Sequence, residues 1–235
     1  MEKKEYKYFK YRRVAESTYE SFNIPSWIEY RIPNKKNKIL DYGCGFGQVM
    51  KALNKSGYSN VYGVDIEDDA LEYCEKTNLN VKILNIADLE NPFNFKFDTI
   101  VLSHVLEHIP KDAVIDTLKA IKEKFMSEES CLLIAVPNAQ SNTDCYWAYE
   151  DWTHNTLFTS GSLYYVLKAA GFEVIEYVDV DSTEGRNFLQ KYFRKIFLGI
   201  YKANKRFWNI VTNSGYYKES EDIFSYEIKC IAKLN

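Results

Sequence analysis

Two rhythms run along this chain. Short continuous apolar runs, at 39–42, 60–66, 81–84, 97–103, 130–136, 172–180 and 223–232, carry the β-branched and aliphatic residues of buried strands. Between them apolar residues recur every third or fourth position, as from Gln48 to Lys55 and at Val114, Leu118, Ile121 and Phe125 within 111–125, which predicts helices with one buried face. Alternating strands and helices predict an α/β fold with helices on both faces of a largely parallel sheet. One domain is expected, made of a helical cover (1–35), a core (36–180), a helical insertion (181–222) and a last strand (223–235). In the cover, Tyr11, Val14, Ala15, Thr18, Tyr19 and Phe22 follow helical spacing.

The first strand ends in a distinctive turn. Ile39-Leu40-Asp41-Tyr42 runs into Gly43, Gly45 and Gly47, and a helix follows at once. Such a turn presents backbone N–H groups to a polar ligand. A dinucleotide fingerprint would need glycine at 48, where this chain has Gln48, so NAD is the weaker reading.

Composition narrows the field. With 235 residues, 46% of them hydrophobic, the chain can bury a full core, and its net charge of −3 gives no reason to expect nucleic acid. Five scattered cysteines without a C-x-x-C pair suggest a reduced, cytoplasmic setting. No apolar run approaches the roughly 20 residues of a membrane span, so no stable membrane insertion is expected.

With Asp41 in front, the glycine run reads D-x-G-x-G-x-G, and here the chain resembles motif I of the class I S-adenosylmethionine (SAM) dependent methyltransferases, of the type acting on small molecules and sugars. The resemblance implies a seven-stranded Rossmann-like sheet in the order 3-2-1-4-5-7-6, with SAM as cofactor. It assigns Asp41, Gly43, Gly45 and Gly47 to the cofactor, and Asp65, ending the second strand, to the ribose hydroxyls. Ile66, Ala87 and Asp88 would meet the adenine, while Ser103 and His104 border the crevice at the carboxyl end of the fourth strand. Asp65 could equally cap the next helix, and Asp88 could be a turn residue.

Two further stretches bear on the chemistry. His104-Val105-Leu106-Glu107-His108 satisfies an inverted zinc-peptidase pattern, H-x-x-E-H, but Pro110 limits any helix there to about one turn, so no metal is expected. The long aromatic loop 139–159 carries Trp152 and His154. An acceptor hydroxyl needs a base, and His154 is preferred over His108 for its place in that loop. Tyr11, Asn138 and Trp152 are the expected substrate contacts, although Asn138 after Pro137 is also a turn-former.

The insertion places Arg186, Lys191, Arg194, Lys195, Lys202, Lys205 and Arg206 around an apolar helical stripe. It reads first as a helix packed on the sheet, then as a homodimer or substrate cap, then as a membrane contact. The combined expectation is O-methylation of a small metabolite or sugar, with surface glycan sugars among the acceptors. The alternatives are N-methylation of a small molecule and a non-catalytic SAM-binding partner module.

Overall fold

The computed structural model describes residues 8–13 and 21–235. Its strands are β1 Ile39–Tyr42, β2 Val61–Asp65, β3 Val81–Ile83, β4 Phe97–Ser103, β5 Met126–Pro137, β6 Val174–Tyr177 and β7 Glu227–Lys233. They form one sheet in the order β3-β2-β1-β4-β5-β7-β6, as the resemblance implied. The first five strands pair in parallel, whereas β7 runs antiparallel to both β5 and β6. The helices are α1 Tyr8–Tyr11, α2 Ser26–Glu29, α3 Gln48–Lys55, α4 Asp68–Lys76, α5 Val114–Ala120, α6 Tyr146–Glu150, α7 Ser160–Ala169 and α8 Phe188–Val211.

The central strands are apolar at consecutive positions because both sheet faces are covered. Successive side chains alternate between the two layers. Leu40, Tyr42, Ile100, Leu102, Leu132 and Ile134 join the core under α5 and α7, while Ile39, Val101, Leu133 and Ala135 pack with Met50, Leu53, Trp27 and Ile28 on the other side. Each fully buried aliphatic or aromatic side chain contributes roughly 1.5–3 kcal/mol, so these layers hold the sheet rigidly. The carboxyl ends of β1, β2 and β4 therefore form a fixed rim.

Several boundaries differ from expectation for local reasons. β5 begins at Met126, before the polar Ser127-Glu128-Glu129, and its pairing with β4 is irregular between Phe97 and Thr99, where Ser130 Oγ donates to the Phe97 carbonyl. The helix expected over 111–125 is α5 followed by a wider turn, Ile121–Phe125, that buries Phe125. β6 is shorter than 172–180, since Phe172 turns into the core. Val14, Ala15, Thr18 and Tyr19 of the expected N-terminal helix lie outside the described residues.

The insertion calls for a correction. α8 buries none of its residues, so it does not pack on the sheet by its apolar stripe. Its half-buried side chains are Arg194, Leu198, Tyr201, Lys202, Lys205 and Asn209, a mostly polar row facing the body. Just before α8, Glu184 receives both terminal nitrogens of Arg31 at 2.5 and 2.7 Å, which ties the N-terminal segment to the insertion.

Candidate active site

The glycine turn leaves β1 under tight steric constraint. Gly43 and Gly47 have φ of 81° and 72°, and a Cβ on them would meet Val105 at 2.5 Å and Leu79 at 2.3 Å. Only glycine satisfies both the left-handed backbone and the close approach. Gly43 and Cys44 donate to the Val64 carbonyl, which holds the turn against β2.

Asp65 ends β2 directly beneath this turn and is buried. Its Oδ2 accepts from Gly45 N at 2.7 Å, and its Oδ1 accepts from Ile66 N and Glu67 N at 2.7 and 3.0 Å. Burial pushes its pKa up, and the three backbone donors pull it back. A carboxylate has about four acceptor directions, so one remains for a ligand hydroxyl after these three bonds. Asp41, entirely buried nearby, is pushed up to about 7 by desolvation and by the charge of Asp65.

The surroundings suit a flat, partly apolar ligand. Ile66 and Ile86 are 47% and 64% exposed, unusual for isoleucines flanking a buried carboxylate. Asp88 and Ala87 are exposed beside them, with the Asp88 carboxylate accepting from Asn85 Nδ2 and Glu90 N. At the start of α3, the buried Gln48 Oε1 has no hydrogen-bond partner among the described residues. These groups fit an adenosyl cofactor over the glycines.

Beyond β4 the chain makes a short 3-10 turn, Leu106–His108. His104 enters it with φ of 56°, a left-handed backbone uncommon for a side chain with a Cβ. Its Nδ1 donates to Glu107 Oε1 at 3.1 Å and its Nε2 to Glu227 Oε1 at 2.8 Å. Burial pulls its pKa down, but the two carboxylates outweigh that and push it up to about 10. His104 is thus an imidazolium at neutral pH, unable to take a proton.

His108 differs in every respect. Its Nδ1 lies 2.8 Å from Thr153 Oγ1, and that hydroxyl donates to Asp151 Oδ1 at 2.7 Å. Thr153 has one proton, already given to Asp151, so it accepts from His108 Nδ1–H; this tautomer, assigned from the network, puts the lone pair on Nε2. Burial and the neighbouring His154 lower the pKa of His108 against the opposing pull of Glu107 and Asp151. The ring is therefore neutral at pH 7, with a basic nitrogen.

His154 lies against His108 with ring centroids 4.7 Å apart. Its Nδ1 donates to the Trp147 carbonyl at 2.6 Å, and its Nε2 is 3.9 Å from Asp151 Oδ2. The loop is latched down by Asn155, whose N and Nδ2 donate to the carbonyls of Glu107 and His108 at 2.7 and 2.8 Å. Arg12 clamps the same place, its Nε 3.2 Å from Asp151 and its Nη1 on the Glu150 carbonyl.

Glu107, His108 and His154 also offer ligand-type atoms within 4.8 Å of one another. The expectation against a metal weighed His104 and His108, with His154 as the remaining histidine; the fold brings His154 onto Glu107 and His108. Glu107 Oε2 is fully buried and has no hydrogen-bond partner among the described residues. An acceptor left in this condition is costly unless a proton or a cation sits on it.

Of the expected substrate residues, Trp152 and Tyr11 stand out at 89% and 68% exposed on the segments around this cluster. Asn138 is buried, its Nδ2 donates to the carbonyls of Ile223 and Ser225 at 2.8 Å each, and its Oδ1 accepts from Gln140 N. Its amide is spent fastening the end of β5 to the approach of β7. Sequence reasoning gave no role to Thr153 or to Glu227. A hydroxyl next to a histidine has no periodicity to betray it, and Glu227 is 123 positions from its partner.

Comparison with known proteins identifies the family and the fold. A model of the family described as "Methyltransferase domain" matches residues 18–177. Two curated relatives, the ubiquinone biosynthesis O-methyltransferases of Thiobacillus denitrificans and Hydrogenovibrio crunogenus, are 27% and 32% identical over 95 and 92 residues. These matches take in 38% and 36% of this chain, and the chain spans about two fifths of the relatives' own length, 40% and 38%. A SAM dependent methyltransferase from Archaeoglobus fulgidus shares the fold, with a TM-score of 0.61 at 20% identity over 96% of this chain and 97% of that one.

Proposed function

Because this chain belongs to the methyltransferase-domain family and is a class I, SAM-dependent methyltransferase, we propose that it methylates an oxygen of a small acceptor, with His108 as the general base. The observation that carries this reading is the chain of contacts from His108 through Thr153 to Asp151 at the end of β4. The O-methyltransferase names of the matched relatives support an oxygen acceptor.

SAM supplies an electrophilic methyl group on a positively charged sulfur. Around it, Asp65 would take a ribose hydroxyl, and Ile66, Ile86 and Ala87 would pack on the adenine with Asp88 at its amino group. Asp41 and the main chain of Gly43, Gly45 and Gly47 hold the amino-acid end, and Ser103 and His104 wall the crevice. Trp152 and Tyr11 line the acceptor side. His108 Nε2 would take the acceptor's hydroxyl proton, which would leave the oxygen nucleophilic toward a methyl group that bound SAM supplies. Holding the partners in line can contribute roughly 7–11 kcal/mol, and the base typically 10²–10⁴-fold. His108 is preferred to His154, whose side chain is only 6% exposed and is held by Trp147 and Asp151.

One observation favours a second reading of the same site. The unpartnered Glu107 Oε2 beside His108 and His154 suits a divalent cation, which would acidify the acceptor hydroxyl in place of a base.

A screen for demethylated-cofactor release across sugars, phenols, other alcohols and amines tests the function. Turnover on a hydroxyl acceptor that collapses in His108→Ala is the expected result. Amines as the sole acceptors would move the reading to N-methylation, and SAM binding without turnover on any acceptor would favour the non-catalytic module.

A further inference from the structure

We infer that α8 is a membrane-surface anchor that lays its outer face on an anionic lipid bilayer. The helix is inside out relative to a helix of a folded core. Its inner row is held to the body by charge: Lys202 pairs with Asp181 at 3.2 Å, Lys205 with Asp144 at 3.3 Å and Arg206 with Asp222 at 2.6 Å, and Arg194 donates to the Asp181 carbonyl. Among the described residues, the ring-to-ring contact on that side is Tyr201 against Phe224, at 6.0 Å between centroids. The outer row, Leu189, Ile196, Ile200, Phe207 and Ile210, is apolar along the whole length and open to solvent. At 1.5 Å per residue, 24 residues give a stripe about 36 Å long. A face of that size left in water signals an interaction surface.

Charge selects the occupant. Residues 186–211 contain seven cations and no acid, in a chain whose net charge is −3. Among the described residues Arg186, Lys191 and Lys195 enter none of the ion pairs that hold the inner row, so a second copy of the helix would bring them together with no acid on either side, whereas anionic headgroups would neutralise them. Phe193, Tyr192 and Trp208 flank the stripe, the side chains that favour the boundary between headgroups and acyl chains. Lys195 sits on its border, where its stem reaches headgroup phosphates. No described helix is long and apolar enough to cross a membrane, so α8 lies on the surface rather than through it. A capping box, with Asn187 accepting from Gln190 N and Gln190 Oε1 from Asn187 N, forms the helix without help from burial.

Co-sedimentation of the full chain with vesicles tests this. With vesicles of one part phosphatidylglycerol to two parts phosphatidylcholine, the bound fraction should exceed that on pure phosphatidylcholine at least tenfold and fall with added salt. Ile196→Glu/Ile200→Glu changes only exposed side chains; it should abolish pelleting and leave SAM binding unchanged. Lys195→Glu should weaken pelleting several-fold. Equal partitioning to both vesicle types, or undiminished binding by the double variant, would overturn the inference. So would a vesicle-free dimer that the double variant splits into monomers, since the outer face would then belong to a second copy.

Discussion

Thr153 Oγ1 stands between His108 Nδ1 and Asp151 Oδ1, 2.8 Å from one and 2.7 Å from the other. One hydroxyl thereby decides which nitrogen of His108 bears the proton. Thr153→Val keeps the shape and removes that decision, so kcat should fall about 10–100-fold with little change in SAM affinity. His108→Ala should fall 10²–10⁴-fold. Steady-state kinetics on any accepted substrate, paired with calorimetry for SAM, check both. If His154→Ala alone removes turnover, the base has been misassigned.

Asp65 serves ligand and protein together, so its loss should register twice. Asp65→Ala removes a charge-assisted acceptor worth roughly 1.5–3 kcal/mol per bond, and SAM should bind at least about tenfold more weakly by calorimetry. The melting temperature should also drop, because Gly45, Ile66 and Glu67 lose their acceptor. Full affinity in this variant would remove Asp65 from the site.

The two neighbouring histidines should titrate in opposite directions. His108 lies below its ordinary 6.5, so the acid limb of the rate profile should fall below that pH and move on mutation of Thr153. His104 is raised from 6.5 to about 10, so the stability it contributes is complete below 6.5 and is lost as pH climbs through that range. Melting curves between pH 7 and 10 should decline in the parent protein and decline less in His104→Gln. A rising or flat parent curve would contradict the double carboxylate embrace.

The ligand-like cluster is tested by chelation. If His108 works as a base, dialysis against EDTA leaves turnover intact and manganese or zinc adds nothing. Turnover that vanishes on dialysis and returns with one of these ions, but not in Glu107→Gln, transfers the chemistry to the cation reading.

Lys229 and Asp179 form a pair 2.9 Å apart whose side chains are 7% and 4% exposed. The pKa of Asp179 is raised by burial yet ends below its ordinary value through Glu184 N and Lys229. Lys229→Met would strand the carboxylate, costing roughly 3–5 kcal/mol, or a melting temperature about 10 °C lower. Adding Asp179→Asn should recover part of the loss. No recovery would show that Lys229 acts through packing instead.

The fold was legible because the central strands are apolar on both faces and the turn after Tyr42 admits only glycine at two positions. Phe97–Ser103 coincides with its predicted strand for that reason. What escaped was orientation. The stripe on α8 has the period of a core-packed helix, and nothing in periodicity tells whether the stripe faces inward. Asn138 looked equally suited to a turn and to a substrate; only the nearby carbonyls of Ile223 and Ser225 decide. Thr153 and Glu227 act through partners far away in sequence, and their chemistry becomes visible once β7 lies beside β5.

That placement of β7 has a consequence for biosynthesis. Its first residue, Glu227, holds His104 from a distance of 123 positions along the chain. A nascent polypeptide therefore carries its glycine turn and His108 well before the carboxylate that completes the charge pattern has been added. Electrostatic maturation of the crevice waits for that strand: a chain cut just before Glu227 would lose the link between β5 and β6 and leave His104 without its second carboxylate.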